Sequence, residues 1–165
     1  MYVLVSGLPG SGKSTLAPRL AAELDLPVFS KDPIKEALWD ALGPGDRAWS
    51  KQLGGAAASA LLALVRSSPG AVVDHFLHTD QLTDWVQLPG IVEVRCACAP
   101  ELARERYGRR VRHPCHFDDV QLGDAFDFWI AEDASRPPVG PRLDVDTSGA
   151  VDVASIASWV RTVER

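Results

Sequence analysis

Short apolar runs alternate with amphipathic stretches along the chain. Five runs have the length and composition of buried β-strands, and they cover residues 2–6, 27–30, 71–75, 91–97 and 142–146. The stretches between them have apolar residues at helical spacing, at about 13–24, 32–42, 47–66, 79–86, from 101 onward, 118–133 and 152–163. This order predicts an α/β fold in which helices cover both faces of a parallel sheet.

Prolines and glycines mark several helix boundaries. Asp32-Pro33 predicts the start of the second helix, with Asp32 as the N-cap and Pro33 in the first helical position. Gly43-Pro44-Gly45 predicts its end. Gly54-Gly55 lies inside the third predicted helix, where it either weakens the helix or lets a neighbour approach closely. The sequence leaves both alternatives open.

The composition is that of one globular domain. The chain has 165 residues, of which 46% are hydrophobic and 24% charged, so we expect a single domain spanning 1–165. A formal charge of −5 argues against binding of nucleic acid or anionic membranes by the whole surface. The longest apolar stretch, 56–65, is too short to cross a bilayer, and the N-terminus leads directly into the first strand. We therefore expect a soluble cytoplasmic protein without membrane contacts.

The three cysteines lack the spacing of a metal or redox motif. Cys96 and Cys98 alternate on a predicted strand, and Cys115 lies in a loop. We expect all three to behave as small hydrophobic residues.

A glycine-rich segment from Gly7 to Thr15 follows the first strand and precedes the first helix. It satisfies the pattern G-x-x-x-x-G-K-[ST] in the structural context that gives the pattern meaning. Its glycines allow successive N–H groups to turn inward around a phosphate at a helix N-terminus. Lys13 can reach the outer phosphates, and the Ser14 hydroxyl can ligate Mg²⁺. The predicted contacts to a nucleoside triphosphate are Gly7, Pro9, Gly10, Ser11, Gly12, Lys13, Ser14 and Thr15.

Two acidic residues lie at or just after the ends of predicted strands, at the edge where a parallel sheet binds ligands. Asp32, after the second strand, can orient an acceptor hydroxyl and receive its proton, although it could serve only as a helix cap. Asp74 ends the third strand, where P-loop proteins place the acid that orients Mg²⁺, and the alternative is a solvated strand end.

Five arginines lie within nine residues: Arg104, Arg106, Arg109, Arg110 and Arg112. We expect this segment, about 104–118, to form a lid whose guanidinium groups bind phosphate oxygens. Arg106 and Arg110 are predicted to share a helix face and to act in transfer, and Arg109 and Arg112 to help bind the nucleotide. A solvated basic helix face is the alternative.

Aromatic residues after the second and third strands could line an acceptor pocket. The candidates are His75, Phe76, Trp39 and Trp49. The helical spacing of Trp39 favours a core position, whereas His75 is compatible with either role.

These motifs together resemble the small P-loop kinases. The resemblance rests on Gly7 to Thr15, Ser30-Lys31-Asp32 with Ile34-Lys35, Asp74, and residues 101–116, in an order that covers nearly the whole chain. It is strongest to the group that contains zeta toxins, antibiotic phosphotransferases and polynucleotide kinases, often named only AAA-type ATPases. The resemblance implies sheet order 2-3-1-4-5, a base on the acceptor hydroxyl at Asp32 and a lid arginine at Arg110.

The sequence also departs from related nucleotide-binding classes. A true AAA machine needs a much longer module, and the chain has no Asn-Lys-x-Asp stretch for guanine recognition, which favours ATP over GTP. We therefore expect an ATP- and Mg²⁺-dependent kinase that phosphorylates a hydroxyl of a small molecule. A polynucleotide 5′-hydroxyl kinase and an ATP-hydrolysing switch protein are the alternatives.

The charge of the region that follows Asp32 bears on the acceptor. Residues 35–68 hold Lys35, Arg47, Lys51 and Arg66 against Glu36, Asp40 and Asp46, a net charge of +1. This is little for a nucleic-acid strand, so the sequence favours an uncharged or singly charged alcohol.

Overall fold

Strands and helices alternate in a computed structural model that describes residues 1–118 and 123–163. The strands are β1 (Tyr2–Ser6), β2 (Val28–Ser30), β3 (Ala71–Asp74), β4 (Ile91–Ala97) and β5 (Arg142–Asp146). The helices are α1 (Lys13–Leu24), α2 (Lys31–Leu42), α3 (Arg47–Ser67), α4 (Leu82–Trp85), α5 (Pro100–Gly108), α6 (Asp124–Ser135) and α7 (Val153–Val163). Short 3₁₀ turns lie at Thr79–Gln81 and Pro114–His116. Among the described helices, none has both the length and the apolar character that crossing a membrane requires.

The five strands form one parallel sheet in the order β2-β3-β1-β4-β5, which confirms the predicted order. In the register of the central strands, Asp74 lies beside both Val5 and Ser30. The segments that follow β1, β2 and β3 therefore leave the sheet at one edge. This edge is where ligands bind in open parallel sheets.

Helices cover both faces of the sheet, as the sequence predicts. Val3 and Val5 of β1 belong to a cluster on one face that includes Leu16, Leu20, Ile156 and Val160 from α1 and α7. Leu4 points to the opposite face and belongs to a cluster that includes Leu61 and Val65 from α3. The alternation of β1 side chains thus joins two apolar layers, and both layers support the loop that follows β1.

Two predicted helix details are wrong. Ser30, not Asp32, is the N-cap of α2, and Asp32 lies in the first helical turn. Ser30 remains extended because it still pairs with Asp74 in the sheet, so helical geometry begins at the next residue. In addition, α5 ends at Gly108, a residue that favours helix ends, so Arg106 and Arg110 do not share a helix.

Other boundaries shift slightly. The third strand ends at Asp74, which places His75 in the following loop. The helix predicted over 118–133 is observed as Asp124–Ser135, and residues 119–122 lie outside the described residues.

All three cysteines are free, and Cys96 and Cys115 are buried among apolar side chains. Burial raises the pKa of the Cys96 thiol to about 12, which fits an inert core residue.

A buried ion pair lies under the sheet edge, and the apolar pattern of β4 does not predict it. Glu93 in the middle of β4 is 0% exposed and pairs with Arg136, which is 4% exposed. The Ser6 hydroxyl and the Val139 N–H also donate to Glu93. These partners satisfy the carboxylate and attach the end of α6 to the sheet.

We predict that Arg136→Met lowers the free energy of unfolding by about 3–5 kcal/mol, because it leaves the Glu93 carboxylate buried without its cation. Urea denaturation at neutral pH measures the loss. Arg142→Met is the control, since Arg142 forms a partly exposed pair with Asp144 and should cost about 1 kcal/mol or less. Adding Glu93→Gln to Arg136→Met should restore part of the stability. Equal small losses in both single variants would contradict this account of the pair.

Candidate active site

The loop between β1 and α1 approaches its neighbours too closely for side chains at two positions. Gly7 and Gly10 have φ values of +120° and +89°, in the left-handed region. A Cβ atom on Gly7 would lie 2.4 Å from the Cys96 carbonyl oxygen, and one on Gly10 would lie 2.1 Å from that of Ala103. Glycine is therefore required at both positions. The resulting turn has the backbone geometry that a phosphate cradle needs.

Three hollows are linked by shared lining residues, and two of them include residues of this loop. The central cleft, about 130 Å³, is lined by Lys13, Asp32, Asp74, His75, Arg110 and Arg112 among others. The β5-side cavity, about 300 Å³, includes Gly12, Thr15, Arg106, Arg110, Thr147 and Gly149. The α3-side cavity, about 700 Å³, includes Lys35, Arg47, Lys51, Gly54, Gln81 and Trp129. Arg110 borders the first two, and Lys35 borders both the cleft and the α3-side cavity.

The predicted nucleotide-binding residues divide between these spaces. Pro9, Lys13 and Ser14 line the central cleft, Gly10, Gly12 and Thr15 line the β5-side cavity, and Gly7 and Ser11 are buried within the loop. A nucleotide extending from one space to the other would pass over the N-terminus of α1. Unpaired N–H groups at a helix N-terminus favour anions.

The Lys13 ammonium is held across the loop. Its Nζ donates to the carbonyl oxygens of Gly7 at 2.7 Å and Leu8 at 2.8 Å. Burial lowers the pKa of Lys13, and the nearby Asp74 carboxylate opposes that shift. Lys13 is thus a pre-positioned cation that can exchange these carbonyls for phosphate oxygens.

Ser14 and Asp74 fit a Mg²⁺ site completed by phosphate oxygens. Both line the central cleft, and Asp74 accepts a hydrogen bond from the Ser30 hydroxyl at 3.4 Å. Mg²⁺ prefers oxygen ligands and commonly takes only one or two from the protein. Within residues 1–118 and 123–163, no group of three His, Cys, Asp or Glu side chains could hold a metal by itself. The hydroxyl and carboxylate, beside the glycine cradle, therefore suit a metal that arrives with a nucleotide.

Asp32 lies in the central cleft as a charged carboxylate. Burial disfavours its charged form, but the positive charges of Lys31, Arg112 and His116 outweigh burial and hold the pKa below its usual value. Arg112 forms an ion pair with Asp32 and contacts Asp118 at 3.2 Å. Asp32 is therefore ionised at neutral pH and can accept a hydrogen bond from a hydroxyl once Arg112 moves away.

The five arginines of the predicted lid do not point into one space. Arg110 and Arg112 reach the central cleft. Arg106 borders the β5-side cavity instead, where it donates to the carbonyl oxygens of Thr147 and Ser148, both at 2.9 Å.

The other two arginines lie outside the three hollows. Arg109 has a side chain that is 79% exposed, and it pairs with Glu105. Arg104 pairs with Asp127 and lies over the Phe126 ring. Of the four lid arginines predicted to bind or transfer phosphate, Arg106 and Arg109 thus do not line the central cleft.

Two of the four predicted pocket aromatics line the cleft. Phe76 and His75 do so, whereas Trp39 is buried beside Leu53 and Cys115, and the Trp49 indole donates to the Gly43 carbonyl oxygen at 3.1 Å. Trp39 therefore has the core position that its spacing favours.

Sequence reasoning missed other residues that line the central cleft. They include Lys35, His78, Tyr107 and Trp129. Trp129 lies on α6, far along the chain from α3, and no local pattern marks it as a neighbour of the cleft.

Comparisons with known proteins agree with this architecture. A family model described as an AAA domain matches residues 3–125. No curated protein matches the sequence. Among solved structures, a candidate kinase from Chloroflexus aurantiacus is 30% identical, with a TM-score of 0.78 and a match that covers 98% of this chain and 96% of that chain.

More distant structures share the fold. A shikimate kinase from Bacteroides thetaiotaomicron is 17% identical with a TM-score of 0.62, and the match covers 99% of this chain and 96% of that one. A deoxyadenosine kinase from M. mycoides with bound dATP is 14% identical with a TM-score of 0.60, covering 98% of this chain and 99% of that one. The fold is therefore that of the P-loop kinases.

The buried His75 side chain generates a pH prediction. Its Nε2 lies 3.0 Å from Gln81 Oε1, and burial, with the positive charge of Lys31, lowers the pKa to about 3. Below the unfolded value of about 6.5, the unfolded chain binds a proton that the folded chain does not. Folding stability should therefore fall as pH drops from about 6.5 towards 3, by up to about 1.4 kcal/mol per pH unit from this group.

Urea denaturation of the parent and of His75→Gln at pH 7.5, 6 and 5 measures this contribution. The variant should lose less stability than the parent over this range, because glutamine does not titrate. At pH 7.5, where His75 is neutral in both the folded and unfolded states, the difference reports only altered packing. Parallel stability curves for the two proteins would contradict the prediction.

Proposed function

We propose, because this chain belongs to the AAA domain family and has the P-loop kinase fold, that it is an ATP-dependent kinase acting on a hydroxyl of a small molecule. The observation that carries the proposal is the position of Asp32. Its carboxylate shares the central cleft with Lys13 and Asp74, and this cleft adjoins a cavity on each side. A γ-phosphate and an acceptor hydroxyl can meet there. Within the family, the order of motifs supports the group of zeta toxins, antibiotic phosphotransferases and polynucleotide kinases.

The chain's residues suggest how ATP would be held. The β5-side cavity takes the nucleoside, beside the carbonyl-anchored Arg106, and the triphosphate crosses the loop to Lys13. Ser14 and Asp74 would ligate Mg²⁺, which neutralises phosphate charge when bound. The positive charge of Lys13 and the inward N–H groups would then stabilise the negative charge of the outer phosphates, and burial strengthens this interaction.

Asp32 provides the acceptor side of the reaction. The acceptor oxygen attacks the γ-phosphorus while its proton passes to the Asp32 carboxylate, and the bond from the γ-phosphorus to the bridging oxygen breaks to release ADP. A carboxylate with a lowered pKa is a weak base, so orientation of the hydroxyl is its larger contribution. Arg112 must leave Asp32 for this, and its guanidinium is then available to the phosphates.

We propose that residues 104–118 act as a lid in which Arg110 performs the transfer role. Arg110 borders both the central cleft and the β5-side cavity, which is the position needed to contact a phosphoryl group between two ligands. Burial lowers the pKa of Arg110, and the nearby Arg112 adds to that shift. An anion between these two guanidinium groups would relieve their repulsion.

The acceptor is proposed to bind in the α3-side cavity, which adjoins Asp32 through Lys31 and Lys35. Its volume of about 700 Å³ is in the range of small-molecule sites. A cytoplasmic location and organisation as one domain remain predictions from the sequence.

We predict that Asp32→Asn reduces phosphoryl transfer by roughly 10²- to 10⁴-fold and leaves ATP affinity nearly unchanged. The amide is close in shape but cannot accept the proton. Transfer from γ-labelled ATP to pooled sugars, alcohols, antibiotics and oligonucleotides measures activity, and calorimetry measures ATP binding. Asp40→Asn is the control, because Asp40 lies on the same helix, pairs with His113 and is outside the cleft. If Asp32→Asn transfers phosphate at the parental rate, Asp32 is not the base. If the parent protein hydrolyses ATP and transfers phosphate to none of the pooled compounds, a switch protein is favoured.

We predict that Arg110→Ala lowers kcat on the order of 10²-fold with little change in the Kd for ATP, because charge on the transferring oxygens is greatest in the transition state. Arg109→Ala is the matched control. The Arg109 side chain is next to Arg110 in sequence but exposed, so its removal should leave both kcat and Kd unchanged. Steady-state kinetics and calorimetry give kcat and Kd. If Arg110→Ala loses binding and turnover equally, Arg110 is a simple anion clamp.

A further inference from the structure

The α3-side cavity is strongly basic, although the sequence around it is nearly balanced in charge. Among the described residues that line it, four are cations: Lys31, Lys35, Arg47 and Lys51. Asp80 is the one carboxylate in that set, so the lining has a net charge of +3 apart from His78, which pairs with Glu132.

The acidic residues of region 35–68 are engaged elsewhere. Glu36 lies 2.7 Å from His116 Nε2, and Asp40 lies 3.0 Å from His113 Nε2. Asp46 accepts a hydrogen bond from the Trp49 N–H and caps α3. Arg66 pairs with Asp84 outside the cavity. Residues 35–68 have a net charge of only +1, but their charges are separated in space. Three of the four cations in this region line the cavity, and none of its three acidic residues does.

Lys35 is the innermost of these cations. It is 8% exposed, and its Nζ donates to the Ser50 hydroxyl at 2.8 Å, which in turn donates to the Cys115 carbonyl oxygen. Burial lowers the pKa of Lys35. In the part of the chain that the structure describes, no carboxylate forms an ion pair with any of the four lining cations. A buried ammonium without a counter-ion is costly, and a bound anion would offset that cost.

The cavity also has room for a ligand against the α3 wall. A Cβ atom on Gly55 would meet nothing within 4 Å, and one on Gly54 would lie 4.0 Å from Lys35 Cε. The two glycines therefore keep space open and do not mediate close helix contact. Trp129 from α6 also lines this cavity. An aromatic ring and several cations suit a compact polar molecule.

We infer that the acceptor is a small hydroxy compound carrying a carboxylate or phosphate group, which binds Lys35, Arg47 and Lys51 while its hydroxyl faces Asp32. Lys31 and Lys35 border both the cavity and the cleft, so an anion beside them lies next to the reacting carboxylate. The cations surround one cavity and do not form a stripe that could follow a nucleic-acid strand. The role of this compound as phosphoryl acceptor rests on the proposed kinase function, whereas the binding of an anion in this cavity does not.

The first experiment measures binding with the nucleotide site filled by ADP and Mg²⁺. Inorganic phosphate, glycerate and glycerol are titrated while the indole N–H resonance of Trp129 is followed by NMR. Phosphate and glycerate should shift this resonance, and glycerol should not. Arg47→Gln/Lys51→Gln should raise the Kd for both anions by roughly tenfold or more, because charged hydrogen bonds are lost.

Arg66→Gln is the matched control, since this cation lies on the same helix outside the cavity and should leave the Kd unchanged. Unchanged affinity in the double variant, or no anion-induced shift in the parent, would overturn the inference. Both exchanged residues are exposed, so folding should be retained, and thermal unfolding checks this.

The second experiment compares transfer to matched acceptors: glycerate with glycerol, ribose 5-phosphate with ribose, and a 5′-hydroxyl oligonucleotide. The charged member of a pair should have the higher kcat/KM, and Arg47→Gln/Lys51→Gln should remove that preference. Equal or better use of the uncharged member would overturn the inference, as would efficient oligonucleotide transfer with a steep salt dependence. Anion binding without transfer to any compound would reject the kinase proposal and retain the anion site.

Discussion

The close approach of the phosphate-binding loop to β4 and α5 is the constraint on which the site depends. There is no room for even one additional carbon atom between Gly7 and the Cys96 carbonyl or between Gly10 and that of Ala103. The loop is therefore confined between a strand end and a helix, and α1 begins at Lys13, directly after it. Because β3 pairs in parallel register with β1 on one side and with β2 on the other, Asp32 and Asp74 lie at the same edge. Loop packing and strand register together thus place Lys13, Asp32 and Asp74 around one cleft.

The support beneath the cleft is polar as well as apolar. Glu93 accepts from Ser6, the last residue of β1, and pairs with Arg136, just beyond the end of α6. The same helix carries Trp129, which lines two of the hollows. A single buried carboxylate therefore connects the strand that leads into the loop with the helix that forms an opposite wall. This arrangement links the stability of the fold to the shape of the candidate acceptor cavity.

Separation of charge gives each hollow a different chemical character. Acidic side chains of α2 pair with His113 and His116, which leaves the cations of α2 and α3 on the cavity lining. In the central cleft, Arg112 occupies the Asp32 carboxylate in this structure. An acceptor hydroxyl and the Arg112 guanidinium therefore compete for the same oxygen atoms. Under the proposed function, lid movement and acceptor binding are coupled through Asp32.

The sequence by itself determined the strands, most helices, the phosphate-binding loop and its Lys13, because these depend on the spacing of neighbouring residues and on backbone angles open mainly to glycine. Resemblance supplied the strand order, which is now observed. Tertiary structure decided that Ser30 caps α2, that Arg110 but not Arg106 reaches the central cleft, and that Trp129 lines the cleft. It also changed a nearly balanced region into a basic cavity. These features depend on which distant side chains meet, and pairing with His113 and His116 across some 70–80 residues of chain cannot be read from local spacing.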